Sequence, residues 1–470
     1  MEDEMLRDSD DATDTAPAAA PDDAVVEEAA PATPQAASGG PEAAVLIRSS
    51  LLGPTRIVAL TFIVLAMGLI AWNTKNSAVR NTNVGSRYGT VEALVNHGVF
   101  YIDDTRYNRT IDKVMIDGHY YSSKPPLLPS MAAGVYAIYR GVTGYDIRTN
   151  EQKVVKFVNL VFGAGLHVVL LLHFYWLMLL FVRRQEAALV ALAAVAFAYL
   201  GAGYAVELNN HSPAGAFALS SFYWAYRVRN GARLGVAVRP WHWVLSGIFA
   251  GLIPGISLPG GAISAGIFIY LALHDWRSAL KYFVPGALPG VIAHFLLTYL
   301  ATGSIVPVYL RDGAYDYPGS YWRSPRGMDA LHEPKYIYSF HLLLGHHGLF
   351  SMTPAFIFSA VAIVKAIKDK SEHFAEAILI AAVVVVMTLF FIVRTNNYGG
   401  NCVGFRWAIP YMPLLFVFFA DWLDRVRMRA WSWGLVLASL LVTQVHVHDA
   451  FWTPWHLSWW QRLFSVSGVN

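Results

Sequence analysis

The chain has 470 residues, of which 55% are hydrophobic and 14% are charged, and its formal net charge is +3. The apolar residues come in long runs, several of which reach the roughly 20 residues that a helix needs to cross a bilayer. These runs exclude a water-soluble globular protein. The single cysteine, Cys402, excludes an intramolecular disulfide and a thiol-rich metal site.

Residues 1–45 differ from the rest of the chain. They are acidic, rich in Ala, Pro and Asp, and contain no aromatic residue. Because such a segment cannot bury enough apolar area to offset the entropy of ordering, it is predicted to be a disordered cytoplasmic tail. A partner-docking segment is the alternative. Residues 46–470 are predicted to form one transmembrane domain, which ends in a tryptophan-rich interfacial anchor.

The hydropathy runs predict about eleven membrane-spanning helices. They lie at roughly 55–73, 155–182, 186–205, 212–228, 242–257, 259–274, 284–302, 351–367, 374–393, 407–422 and 431–446. The fifth and sixth are short and meet at Pro254 and Pro259. A helical hairpin that does not fully cross the bilayer is therefore the alternative for this pair.

The positions of Lys and Arg predict the orientation. Alternate short loops are basic, from the loop at Arg183 to the loop at Arg429. Because cytoplasmic loops are enriched in Lys and Arg, the amino terminus is predicted to be cytoplasmic. Two long connections then lie on the periplasmic side, and we call them the first large loop (74–154) and the second large loop (303–350).

The first large loop is predicted to carry amphipathic surface helices. Val84–Val95 is amphipathic, Val99–Ile102 is β-like, and Pro125–Tyr139 has the early proline that suits a helix start. Lys124 would place a cation at the positive end of that helix dipole, which favours a phosphate. Four carboxylates precede this lysine, namely Asp103, Asp104, Asp112 and Asp117. A plain solvated loop is the alternative interpretation.

A second polar cluster lies at the end of a predicted span. It contains a carboxylate, two amides and an imidazole, from Glu207, Asn209, Asn210 and His211. Such a group is costly at the membrane surface unless it faces a cavity, which favours catalysis or sugar binding. The imidazole would orient a carboxylate or bind the leaving phosphate. A helix-end cap is the alternative.

A third cluster is a glycine-rich loop that precedes a late span. Its polar residues include Arg394, Asn397, Tyr398 and Arg406. Glycine allows a ligand to approach the backbone closely. Guanidinium groups suit bidentate binding of phosphate, so Arg406 is predicted to bind a phosphate. The alternative is an arginine that only extends to the lipid headgroups.

The motif Ser86-Arg87-Tyr88, followed by Asp117-Gly118 and by Lys124-Pro125-Pro126-Leu127-Leu128, resembles the first outer loop of the GT-C superfamily of glycosyltransferases. The similarity is to the aminoarabinose transferase and protein O-mannosyltransferase branches. It implies an all-α bundle of about eleven transmembrane helices. It also implies an inverting transfer of a sugar from a polyprenyl-phosphate donor, outside the cytoplasm.

The resemblance also assigns roles to residues. Many relatives carry an acidic pair just before Arg-Tyr, whereas this chain has Val84-Gly85-Ser86, and Ser123 replaces a frequent acid before Lys124. The predicted catalytic residues are therefore Asp103, Asp104, Asp112, Asp117, Glu207 and His211. The predicted phosphate ligands are Lys124, Arg87, Arg394 and Arg406. The predicted substrate-binding residues are Tyr88, Tyr121, Asn209, Asn210, Asn397 and Tyr398.

The predicted partners are a polyprenyl-phosphate sugar donor, membrane lipid and an acceptor that is a lipid, a glycan or a protein. Nucleic acid is not among them. No cofactor is assigned, and the use of a divalent cation stays open. The predicted location is the inner membrane. Two alternatives remain: a transporter or flippase of a lipid-linked or sugar substrate, and a non-catalytic relative. A transporter would place ionisable residues near mid-membrane, where this chain has few.

Overall fold

The computed structural model describes residues 53–74 and 81–447. The predicted cytoplasmic tail and the tryptophan-rich carboxy terminus both lie outside the described residues. Within the described ranges, the chain is helical except for one two-stranded hairpin and the connecting loops.

The helices, in chain order, are α1 (Pro54–Asn73), α2 (Thr82–His97), α3 (Leu127–Thr143), α4 (Glu151–Asn159), α5 (Leu166–Phe181), α6 (Gln185–Ala198), α7 (Leu200–Tyr204), α8 (His211–Asn230), α9 (Pro240–Ile256), α10 (Gly261–Ser278), α11 (Val284–Thr302), α12 (Lys335–Leu343), α13 (Leu349–Met352), α14 (Phe356–Lys368), α15 (Phe374–Arg394), α16 (Met412–Arg425) and α17 (Ala430–Val447). The strands are β1 (Lys113–Ile116) and β2 (His119–Ser122). Two π-helical turns, Leu160–Gly165 and Ala279–Phe283, join α4 to α5 and α10 to α11.

Five helical segments of the described chain are long and apolar enough to cross a membrane. They are Pro54–Asn73, Glu151–Phe181, Gln185–Tyr204, Leu258–Thr302 and Phe374–Arg394. The fourth has 45 residues and leaves helical geometry at Asp275, where φ is −152°. It therefore contains two of the predicted spans. These segments fit a multi-pass membrane protein, and the total of about eleven spans stays a prediction.

Close contacts between backbones hold α9 against α11. A Cβ atom added at Gly251 would lie 2.1 Å from the carbonyl oxygen of Ala287, and one at Gly247 would lie 2.1 Å from that of Phe283. Any larger residue would push these helices apart. Glycine at such crossings is typical of membrane helix packing, where side chains gain little from leaving lipid. Helix α8 also packs against α9 and is buried along most of its length.

The β-structure of the first large loop is a hairpin that the sequence did not predict, and the β-like piece predicted at Val99–Ile102 forms no strand of its own. Strand β1 pairs antiparallel with β2, and Lys113 faces Ser122. Asp117 and Gly118 form the turn with φ values of 50° and 84°. Asp-Gly is a preferred pair for such a turn because both residues need positive φ. Only Tyr101 of the predicted piece pairs with the hairpin, through one bridge to Tyr121.

The second large loop lies against this hairpin. The Met115 amide donates a hydrogen bond to the Ala314 carbonyl over 2.9 Å. The indole nitrogen of Trp322 donates to the carbonyl of Ile111 over 3.0 Å. The two large loops are therefore in contact, and a cavity lies between them and the adjacent helix ends.

Candidate active site

A cavity of about 750 Å³ brings together residues from all three predicted clusters. The predicted residues that line it are Arg87, Asp112, Lys124, Asn210, His211, Asn397 and Arg406. The second large loop adds Tyr309, Tyr315, Tyr321, Trp322 and Asp329. These residues are far apart in the chain, so only the fold assembles the site.

Arg87 is fixed in the wall of the cavity by two asparagines. Helix α2 starts at a side-chain cap, because Asn81 Oδ1 accepts from the amide of Asn83 over 2.8 Å. One turn later, the Arg87 guanidinium donates to the carbonyl of Asn83 over 3.0 Å and to Asn210 Oδ1 over 2.7 Å. Burial and the positive charge of Arg406 lower the pKa of Arg87 to about 9. A buried positive charge with a second positive charge nearby makes this place attractive to an anion.

Asp112 and Lys124 form an ion pair in the cavity, with 3.0 Å between Lys124 Nζ and Asp112 Oδ1. The hairpin register explains the pair, because these residues flank the matched positions Lys113 and Ser122. Burial raises the pKa of Asp112. The attraction and hydrogen bond of Lys124 outweigh burial, together with the charges of Arg406 and Arg87, so this pKa lies below its ordinary value. The carboxylate is thus ionised at neutral pH.

Ser86 stands where the resemblance leads one to expect an acid, and it contacts Asp112 instead. Its hydroxyl donates to the Asp112 carbonyl over 2.5 Å and lies 2.6 Å from Ser122 Oγ. The Thr82 hydroxyl lies 3.4 Å from Asp112 Oδ2. A carboxylate from the hairpin is therefore held beside the first turns of α2, and Ser86 fixes its backbone.

The glycine-rich loop supplies Arg406. Gly399 and Gly400 have φ values of 94° and 81°, which residues with a side chain rarely adopt. A Cβ atom at Gly399 would lie 2.9 Å from Arg406 Nε. Because glycine stands there, the guanidinium can lie against the loop backbone and face the cavity. Arg394, at the end of α15, is exposed and does not line the cavity.

The cluster before α8 divides into capping and lining residues. Asn209 Oδ1 accepts from the amides of His211 and Ser212 over 2.9 and 3.1 Å, which is the geometry of the capping alternative. Asn210 reaches into the cavity and holds Arg87. The His211 ring lines the cavity, and its Nδ1 is buried without a hydrogen-bond partner among the described residues. Glu207 is half-buried and does not line the cavity.

The other three predicted aspartates lie away from the cavity. Asp103 Oδ2 is 3.2 Å from His119 Nδ1, and its Oδ1 accepts from the amide of Tyr120 over 3.1 Å. Asp104 is exposed, and Asp117 is exposed in the hairpin turn. Of the four candidates in the first large loop, Asp112 alone lines the cavity.

The three predicted tyrosines lie around the cavity rather than in its lining. Tyr88 is buried, and its hydroxyl donates to Asn159 Oδ1 over 2.8 Å. Tyr121 lies on the hairpin and lines a smaller neighbouring pocket. Tyr398 is buried against the ring of Tyr338, with 4.4 Å between ring centroids. These contacts support the walls of the cavity.

Asp329 is a cavity residue that the sequence did not reveal. Its Oδ1 accepts from Asn397 Nδ2 over 2.6 Å, and its Oδ2 accepts from the hydroxyl of Tyr321 over 3.0 Å. The carboxylate thereby joins the second large loop to the glycine-rich loop. The second large loop is rich in aromatic and charged residues, among them Tyr315 and Trp322, but nothing in its sequence distinguishes Asp329 from the other aspartates of the loop.

No protein-family model and no curated protein matches the chain. Among solved structures, ArnT from Cupriavidus metallidurans in the apo state is similar at 15% identity and a TM-score of 0.50, over 80% of this chain and 61% of that chain. The structure of the same protein bound to undecaprenyl phosphate has 13% identity and a TM-score of 0.50, over 84% of this chain and 64% of that chain. The oligosaccharyltransferase of Archaeoglobus fulgidus, in complex with Zn and sulfate, has 14% identity and a TM-score of 0.50, over 83% of this chain and 53% of that chain.

These similarities show the fold. The chain shares its fold with these solved structures, which agrees with the resemblance and confirms the all-helical polytopic class predicted from the sequence. It spans 53 to 64% of the length of the three solved structures.

Proposed function

We propose that the protein is a membrane glycosyltransferase that moves a sugar from a polyprenyl-phosphate donor to an acceptor. One observation supports this proposal most directly. Arg87, Lys124 and the ion-paired carboxylate of Asp112 come from the first large loop, Arg406 comes from the glycine-rich loop, and all four line one cavity. A cavity with this charge suits a reaction in which a phosphate leaves and an acceptor loses a proton.

The three cations are suited to the donor phosphate. Negative charge grows on the phosphate oxygen as the bond to the anomeric carbon breaks, so fixed cations stabilise the transition state more than the ground state. Lys124 also stands just before α3, whose amino-terminal end carries positive partial charge. The lipid tail of the donor would remain among the apolar helices.

Asp112 is assigned the role of general base. It takes the proton of the acceptor nucleophile, the acceptor atom bonds to the anomeric carbon, and the bond from that carbon to the phosphate oxygen breaks. Polyprenyl phosphate leaves, and configuration inverts because attack comes from the face opposite the phosphate. A bound phosphate competes with Asp112 for Lys124. The base therefore becomes more basic when the donor is in place.

The proposal also includes the orientation of the chain in the membrane. The amino terminus would be cytoplasmic and the cavity periplasmic, in an inner membrane. The described residues contain no group of three or more His, Cys, Asp or Glu side chains that could hold a metal ion. One similar structure is a complex with Zn and sulfate. Transfer should therefore be measured with and without a chelator, to test whether the reaction depends on a divalent cation.

The test is transfer of label from radiolabelled polyprenyl-phosphate sugars by purified protein in lipid, with a crude envelope extract as acceptor. Asp112→Asn is expected to lower turnover by about 10²- to 10⁴-fold, the usual contribution of a general base. Asp117→Asn is the matched control, because this exposed aspartate lies in the same hairpin and outside the cavity. Donor binding without transfer by the unaltered protein would favour the non-catalytic alternative. Equal turnover by both variants would contradict the role of Asp112.

A further inference from the structure

Aromatic side chains of the second large loop line the same cavity as the cations. The ring of Trp322 contacts two tyrosines edge to face, with centroids 5.9 Å from Tyr315 and 5.2 Å from Tyr321. Its indole nitrogen donates to the carbonyl of Ile111, the residue before Asp112. The indole is therefore fixed in orientation close to the ion-paired carboxylate. Neither phosphate binding nor proton transfer needs this aromatic surface.

Polar groups lie beside the rings. The carboxylate of Asp329 accepts one hydrogen bond on each oxygen, from Asn397 and from Tyr321. Each carboxylate oxygen has a further lone pair, so both can accept another hydrogen bond. The cavity of about 750 Å³ falls within the range of pockets that enclose a whole small-molecule ligand. It has room for more than a phosphate.

A carbohydrate ring has the complementary chemistry. One face of a pyranose presents C–H groups that pack on an aromatic ring, and its edge presents neighbouring hydroxyl groups that donate to a carboxylate. A fixed indole loses little entropy when a ligand covers it, because two torsions define its position. An acidic acceptor beside the rings adds direction to this packing.

We propose that Trp322, Tyr315 and Tyr321, together with Asp329 and Asn397, form a subsite for a pyranose ring next to Asp112. The inference rests on the proposed function and names the substrate class of that cavity. Both the sugar of the donor and a glycan acceptor have this chemistry. The experiment therefore separates the two sources.

The experiment measures equilibrium binding of two ligands by the protein in lipid nanodiscs: polyprenyl phosphate without a sugar, and the same lipid phosphate carrying one. For a donor subsite, Trp322→Ala weakens binding of the sugar-bearing lipid by about 10-fold, as an interface tryptophan does, and leaves the bare lipid phosphate unchanged. Trp322→Phe restores most of the affinity. Tyr336→Ala, at an exposed aromatic of the same loop, changes neither ligand.

An acceptor subsite gives a different pattern. Trp322→Ala then leaves both lipids unchanged and raises the KM for a glycan acceptor by about 10-fold. Asp329→Asn, which keeps the size of the side chain, is the second variant and is expected to show the same selectivity. Equal weakening of both lipids in the two variants, or no change in either lipid or in the acceptor KM, overturns the subsite. Failure of the unaltered protein to bind either lipid would instead overturn the proposed function.

Discussion

Replacing Lys124 with methionine removes the charge that faces Asp112 and nearly keeps the size of the side chain. The carboxylate loses a partner at 3.0 Å but stays buried, with Arg87 and Arg406 still nearby. An opposite charge at such a distance lowers the pKa of a carboxyl group by about 1 to 3 units. We therefore expect the pKa of Asp112 to rise in the variant, because burial is then opposed only by the charges of Arg87 and Arg406.

The direction of the pH effect follows from the lowered pKa. In the unaltered protein, Asp112 stays ionised to a pH below the ordinary carboxyl pKa of about 3.9, so the base is available at mildly acidic pH. The acid limb of kcat/KM should therefore lie below that ordinary value in the unaltered protein and move to higher pH in Lys124→Met. The stability that the ion pair contributes has the same sign: it is present above the unfolded pKa and is lost as pH falls through the folded pKa.

The assay is kcat/KM for sugar transfer measured from about pH 3.5 to 7.5. Loss of a phosphate-binding charge lowers kcat/KM at every pH. The pH at which the acid limb lies does not depend on this overall loss of rate. Arg109→Met is the matched control, because Arg109 is an exposed cation of the same loop that does not line the cavity. An acid limb at the same pH in Lys124→Met and the unaltered protein would refute the assignment of Asp112 as the base.

Two further substitutions test the glycine-rich loop. Arg406→Ala is expected to weaken donor binding by about 10- to 100-fold through loss of charge-assisted hydrogen bonds, whereas Arg394→Ala, at an exposed residue outside the cavity, should stay within about twofold in the same nanodisc assay. Gly399→Ala forces a side chain into a φ of 94° and places its Cβ 2.9 Å from Arg406 Nε. It should cost about 1 to 3 kcal/mol of stability and weaken donor binding, read by thermal unfolding and by the same assay. Unchanged donor affinity would contradict the role of this glycine.

Helices that must match the bilayer were the most predictable part of the fold. The predicted spans 55–73 and 374–393 agree with Pro54–Asn73 and Phe374–Arg394, because length and apolar composition together specify such a helix. The span predicted at 407–422 corresponds to a helix that begins only at Met412. Its first residues form a short turn from Arg406 that lines the cavity. Hydropathy cannot separate an apolar residue in a span from one that packs under a site.

The hairpin was missed although Asp117-Gly118 is a local signal for it. Both strands are four residues long, and their side chains do not alternate clearly between polar and apolar. Such short strands are weakly specified by sequence and depend on packing against the second large loop. The ion pair in the cavity was hard to predict for the same reason, because the pairing of Lys113 with Ser122 brings Asp112 to Lys124.

The missing acid before Arg87 shows how the site can be assembled without its expected sequence pattern. A base must lie near the phosphate ligands in space, but no position in the chain is required for it. Ser86 occupies the sequence position, and its hydroxyl binds the backbone of Asp112, whose carboxylate lies beside Lys124. The side chain that departs from the pattern is thus the one that anchors the proposed substitute. Replacing Ser86 with alanine would remove the hydrogen bond to that backbone, whereas an aspartate there would bury a second carboxylate next to Asp112.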